Sequence, residues 1–180
     1  MKFIQDIKTF FGKRRLNLQA ANIHKKNKLV SFDQMNEIGI VYDAANKQNE
    51  ESVQRFAASL REHGKKVFLM GFVDQKVLPH TKKIHIQSEF FWQEKLDVFN
   101  LPDKSKIGRF LSTHFDLIIG VYFDDILPLH AMSVYSKADY KISAMHQNGT
   151  RYFDAMIDTK NNKDIVNLTQ QIFHYLNVIK

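Results

Sequence analysis

Four residues stand where chemistry could be done at the ends of strands: Asp43, Asp124, Asp125 and His146. Asp43 closes the apolar run Ile38-Gly39-Ile40-Val41-Tyr42, and Asp124 with Asp125 closes Leu117 to Phe123. His146 follows Tyr140 to Met145, and Asp74 flanks the group just past Val67 to Phe72. Three carboxylates in one crevice could hold a hard cation or a ribose, and a histidine beside them could serve as general acid or base. Strand-terminal aspartates are also ordinary N-caps and turn formers, a role that suits Asp125 ahead of Pro128.

The surrounding motifs restrict that chemistry. After Asp43 the chain runs Ala44-Ala45-Asn46-Lys47-Gln48-Asn49, with neither the glycine spacing of a dinucleotide fingerprint nor a Gly-Lys-Ser/Thr phosphate loop. There is no Gly-x-Ser-x-Gly elbow for a hydrolase nucleophile. Ala45 stands where a haloacid-dehalogenase-like phosphatase would need a second aspartate, and His146-Gln147 where a phosphoreceiver domain would need a lysine. Cysteine is absent, which excludes disulfides, thiolate zinc sites and cysteine nucleophiles. No two histidines have the i, i+4 spacing of a helical metal site; His114 and His130 suit caps or core edges. No metal site and no cofactor is expected.

A second group of residues carries charge. Residues 1–30 hold Lys2, Lys8, Lys13, Arg14, Arg15, Lys25, Lys26 and Lys28 against the single acid Asp6. The remaining 150 residues hold eighteen bases and eighteen acids, so the net charge of +7 belongs to the first thirty. Such a cluster attracts polyanions. Phe3, Ile4, Ile7, Phe10 and Phe11 fall on one side of a helix that Gly12 is expected to stop, and Leu16, Ala20 and Ile23 make a second, weaker stripe. Three readings stay open: the stripe docks on the body, the bases contact nucleic-acid phosphates, or the helix lies on an anionic membrane. No aromatic residue is interleaved between Lys13 and Lys28, which argues against a base-stacking strip. No apolar run is long enough to span a bilayer, and Asp6 and Lys8 interrupt any signal-peptide core, so a cytoplasmic protein is expected, peripheral at a membrane if the arm binds lipid.

The elements that must position these residues alternate. Ile38–Tyr42, a helix over 49–63 stopped by Gly64, and Val67–Phe72 form a βαβ unit. Ile84-His85-Ile86 reads as a short third strand, and residues 88–103 as a packed loop or a single helical turn. A helix opening at Pro102-Asp103 precedes the central strand Leu117–Phe123. A helix from Pro128, apolar nearly all round, leads to Tyr140–Met145. Asn148-Gly149 signals a type I′ hairpin into Tyr152–Ile157, a sheet edge that is either covered or free to pair with a partner. An amphipathic helix over 164–179 closes the chain. The expectation is an α/β fold: a mostly parallel Rossmann/flavodoxin-like three-layer sandwich in the order 3-2-1-4-5-6. It carries an antiparallel edge hairpin and a basic helical N-terminal arm, with residues 1–37 as arm and 38–180 as domain.

Two resemblances follow from particular stretches. Asp116 to Gly120, Pro128 to Met132 and Tyr140 to Ala144 resemble the C-terminal half of two-domain GT-B type glycosyltransferases, although Asp124-Asp125 replaces that family's glycine-rich donor loop. Over most of its length the chain resembles a short bacterial domain-of-unknown-function family. The shared features are a basic arm, a strand ending in Tyr42-Asp43 and the Asp116 to Gly120 strand. That likeness implies a fold and no activity. The functional expectation is a non-enzymatic α/β binding module tethered by its basic arm to an anionic partner, RNA or a ribosome-like assembly first and an acidic membrane second. The alternative is an enzyme, or a degenerate one, acting on a nucleotide-sugar or phosphorylated small molecule at the sheet switch point.

Overall fold

The computed structural model describes residues 2–22, 30–147, 149–160 and 162–178, with residues 2–5 described by backbone alone. The elements are α1 (Lys2–Ala21), β1 (Glu37–Asp43), α2 (Lys47–Glu62), β2 (Lys66–Val73), β3 (Ser88–Trp92), α3 (Arg109–Ser112), β4 (His114–Val121), α4 (Leu127–Tyr135), β5 (Lys137–Ala144), β6 (Ala155–Ile157) and α5 (Ile165–Val178). One six-stranded sheet runs in the order β3-β2-β1-β4-β5-β6, and every neighbouring pair is parallel.

Because a parallel sheet is covered on both sides, its strands are apolar at nearly every position, and the period of two only decides which core each side chain enters. Ile38, Ile40 and Tyr42 of β1 join Val67 and Leu69 of β2 and Leu117 and Ile119 of β4 under α2 and α5. Val41, Phe68, Met70, Ile118 and Tyr122 face the opposite layer, built from α1, α4 and residues Leu101 to Phe110. α4 is buried from Leu127 through Val134, as its unbroken apolar sequence requires. Asn46 caps α2 by accepting from the amides of Gln48 and Asn49, and Gly64 ends it at φ 77°, a left-handed conformation that favours glycine.

Two buried lysines fix the ends of elements. Lys65 Nζ donates to the carbonyls of Phe32 (2.6 Å) and Met35 (2.8 Å), tying the segment before β1 to the start of β2. Lys141 Nζ, from the middle of β5, donates to the carbonyls of Ser133 (2.6 Å), Val134 (3.1 Å) and Ser136 (2.9 Å) and so caps the C-terminus of α4. Asp116 Oδ2 accepts from the amides of Asn36 (2.6 Å) and Glu37 (2.9 Å), setting β1 beside β4.

The structure corrects four local expectations. The edge is not an antiparallel hairpin: β6 pairs with β5 in parallel, Ile142 against Ala155 through Ala144 against Ile157. Tyr152 and Phe153, read as strand, are instead buried in the layer of α1 and α4. The chain therefore turns through a short helical stretch at Gly149–Arg151 and enters β6 from the same end as β5. Asn148 lies outside the described residues. The third strand is Ser88–Trp92, not Ile84–Ile86. Phe90 and Phe91 enter opposite cores from it, so it shows no alternation in sequence. The helix before β4 is only Arg109–Ser112.

The fourth correction concerns Gly12. α1 continues through it to Ala21. A Cβ there would collide with the Phe99 carbonyl oxygen, so this glycine permits close approach of helix to loop where a stop was expected. Leu16 and Ala20 lie on the same side and are buried against the body.

Candidate functional site

The carboxyl ends of β1 and β4, where strand order reverses, are where an open parallel sheet usually receives ligands. Asp43 and the pair Asp124-Asp125 both arrive there, as their strand-end positions demand, but their side chains part. Asp43 Oδ1 accepts from the Ala45 amide of its own loop at 2.9 Å. Its carboxyl is held above the usual carboxylate range by burial and by the charges of Asp124 and Asp74, against the Ala45 amide and Lys82. Asp124 turns outward to Lys163 at 2.8 Å. Asp125 turns the other way, to Lys13 of α1 at 2.7 Å and to His130 Nε2 at 2.9 Å. Among the described residues no three His, Asp or Glu side chains gather closely enough to hold a metal ion.

Asp125 heads a relay that sequence spacing did not reveal. His130, in the first turn of α4, donates from Nε2 to Asp125 and accepts at Nδ1 from the Tyr122 hydroxyl at 3.2 Å. Burial holds His130 below its ordinary pKa against the pull of Asp125, and the carboxylate facing Nε2 requires the ring proton there. Burial pushes the Asp125 carboxyl up, but the hydrogen bond and charge of Lys13, with His130, bring it below the usual range. His146 packs edge-on to His130 at 4.8 Å and against Tyr122 at 4.9 Å, with Nε2 3.1 Å from Ser143 Oγ. Burial first, then His130, push its pKa down to about 4.

An acid, a histidine and a hydroxyl in series resemble a nucleophile-activating relay. Here the hydroxyl belongs to Tyr122, which is 2% exposed, as is His130. Burial raises the tyrosine pKa still further. A nucleophile must meet substrate, and this one is sealed under α1, Tyr152 and Phe153. The relay's physical effect is attachment: Lys13 and, through Tyr152, Asn17 are bonded to the body beside it, the latter at 2.6 Å. The signal in sequence was Asp125 standing five residues before a histidine in the first turn of a buried helix.

An open cleft of about 380 Å³ lies beside the relay, lined by Thr9 and Lys13 of α1 and by Asp74, Gln93, Asp97 and Asp125. Asp97 already accepts from the amides of Phe99 (2.8 Å) and Leu101 (3.0 Å), and Asp74 from Gln93 (2.8 Å).

The basic residues divide by partner. Lys13 pairs with Asp125, and Arg15 lies 3.7 Å from Asp97. Lys8 and Arg14 make no ion pair with a described residue. Lys25, Lys26 and Lys28 lie outside the described residues, as does the side chain of Lys2. Of the first apolar stripe, Ile7 is 41% exposed, Phe10 62% and Phe11 47%, and Leu18 on the same side is 62% exposed, whereas the side chains of Phe3 and Ile4, like Ile23 of the second stripe, lie outside the described residues. The opposite, small and polar side, with Thr9, Gly12, Leu16 and Ala20, is the one that meets the body.

A family model described as "Family of unknown function (DUF6913)" matches residues 8–179, nearly the whole chain, α1 and sheet alike. The chain belongs to this family. Membership agrees with the whole-length resemblance drawn from the arm, Tyr42-Asp43 and Asp116 to Gly120. No curated protein and no solved structure matches the chain, and nothing supports the glycosyltransferase likeness. No helix among the described residues is long and apolar enough to cross a membrane.

Proposed function

We propose that this protein is a non-enzymatic α/β binding module held to an anionic partner by α1 and the basic segment that follows it. The observation that carries the reading is the placement of charge. The entire net charge of +7 lies in residues 1–30, and α1 is fastened to the body by its other side, so that Lys8 and Arg14 are left without acidic partners among the described residues. Arrays of this kind gain affinity by neutralising phosphates and releasing counterions.

The strand ends support the same reading. Asp43 is bonded to its own loop, Asp124 to Lys163, and His146 is buried and neutral, so the candidate acid, base and metal ligands do not converge on one ligand. The nearby cleft presents Asp74, Asp97 and Asp125 against the single base Lys13, a poor match for a phosphorylated small molecule.

The test uses the full chain, because Leu16 is fully buried and removing α1 would open the core. Binding to anionic surfaces is titrated against salt for the wild type and for Lys8→Glu/Arg14→Glu. A steep log–log fall with salt, and loss in the double variant, are expected. A robust thermal shift with any nucleotide or Mg²⁺ would instead restore the enzyme alternative.

A further inference from the structure

Resting on that reading, we infer that the partner surface is an anionic lipid leaflet and that α1 lies in its plane, with Ile7, Phe10, Phe11 and Leu18 entering the acyl boundary. These residues stand at i, i+3, i+4 and i+11 of a continuous helix, so they share one side. All four are exposed, whereas the side opposite is buried on the body. The helix is therefore already folded and already oriented before it meets a surface. An isolated amphipathic segment would have to pay for that order on binding.

Charge selects the occupant. Arg14 sits within the apolar stripe and Lys8 beside it, where a long basic side chain can lay its stem along lipid and keep its head among anionic headgroups. A second copy of the chain would bring the same bases face to face. Nucleic-acid phosphates would satisfy the bases but leave two phenyl rings and two aliphatic chains in water. Phe10 and Phe11 meet edge to face, at 5.6 Å and 79°, and so present no parallel platform for stacked bases. Of the contacts that hold α1 to the body, Gly12 against Phe99 and Lys13 with Asp125 lie away from the stripe, and Asn17, bonded to Tyr152, lies at its edge one turn and more beyond Phe10.

The full chain is floated with vesicles of phosphatidylglycerol and phosphatidylcholine in equal parts, with pure phosphatidylcholine vesicles, and with poly(U) RNA at matched salt. Wild type is expected on the anionic vesicles and not on the neutral ones. Phe10→Ser/Phe11→Ser, whose rings are exposed, should keep the melting temperature and lose vesicle binding about tenfold or more. Its residual attraction to poly(U) should not change, whereas Lys8→Glu/Arg14→Glu should lose both. Phe10→Trp should shift its emission to the blue on anionic vesicles, above the background of Trp92. Vesicle binding unchanged by the serine pair would overturn lipid insertion while leaving the anionic-partner reading intact. Tight binding to poly(U) without vesicles, or a dimer that the serine pair dissociates, would overturn it in favour of RNA or of a second copy. Binding to neither surface at low salt would remove the broader reading as well.

Discussion

Acidification should weaken this protein through His146, and the size of the effect follows from its surroundings. The ring is buried among Tyr122, His130 and Phe153 and has its pKa pushed down to about 4. In the unfolded chain a histidine titrates near its ordinary value of about 6.5. Between these values the unfolded state binds the extra proton. The stabilising effect is therefore complete above the unfolded value and is lost as pH falls through the window between them. From about pH 7.5 to about pH 5 this one group removes roughly 2 kcal/mol, or roughly 4–8 °C of melting temperature in a chain of this size. His130, also held below its ordinary value by burial, adds to the loss with the same sign. The assay is a thermal melt across that range for the wild type and for His146→Phe. Phenylalanine suits the aromatic neighbours, and Ser143 still donates to the Gly120 carbonyl at 2.9 Å. The difference between the two slopes isolates His146. Equal slopes, with the variant folded at neutral pH, would refute a buried neutral imidazole at this position.

Other substitutions probe the joints that place α1 and the strand ends. Gly12→Val should cost about 1–3 kcal/mol in urea denaturation, because its Cβ meets the Phe99 carbonyl; an unchanged midpoint would mean that helix and loop are not in contact. Lys141→Met removes the donor to three carbonyls at the end of α4 and should cost about 2–3 kcal/mol, and wild-type stability would show that the cap is dispensable. Tyr42→Phe removes a buried hydroxyl that has no hydrogen-bond partner among the described residues, so its change should stay within about 1 kcal/mol and lean towards stabilising. A larger loss in a denaturation series would reveal a partner for that oxygen.

What sequence could show depended on how local the deciding interaction was. β1, β2 and β4 were legible because each is an apolar run bounded by polar residues, and their parallel order followed from the intervening helices. Ser88–Trp92 was not, because a strand buried on both faces has no alternation and its aromatics fit a packed loop equally well. The Asn148-Gly149 signal was overruled by tertiary packing. Tyr152 and Phe153 bury themselves beside His130 and His146, which takes the chain across the sheet end before β6 begins. Gly12 after an apolar helical stripe is the ordinary signal of a helix stop. Its lack of a side chain proved the more important property. The strand-end aspartates were placed correctly by topology. The direction in which each turns depends on Lys163 and Lys13, which lie 39 and 112 residues away. No short window contains that information.

The two faces of α1 explain why the site resists reading as an active centre. A crevice at the strand ends is useful to an enzyme only if polar groups converge there and remain reachable. In this chain the same groups hold a helix: Lys13 occupies Asp125, Asp125 orients His130, and Tyr122 with Tyr152 closes the space above them. Asp125 is thereby committed to Lys13 and His130 even where it borders the open cleft. In return, a helix that would otherwise bury Ile7, Phe10, Phe11 and Leu18 is held with its small side inward. Fixing α1 by Gly12, Leu16 and Ala20, residues with little or no side chain apart from one leucine, leaves the large apolar side chains free. Exposed aromatic surface on a folded protein is unfavourable unless something covers it. The polar relay at the switch point and the outward-facing aromatic stripe are thus two parts of one arrangement, in which residues at the sheet's customary ligand position hold α1 with its large apolar side chains outward.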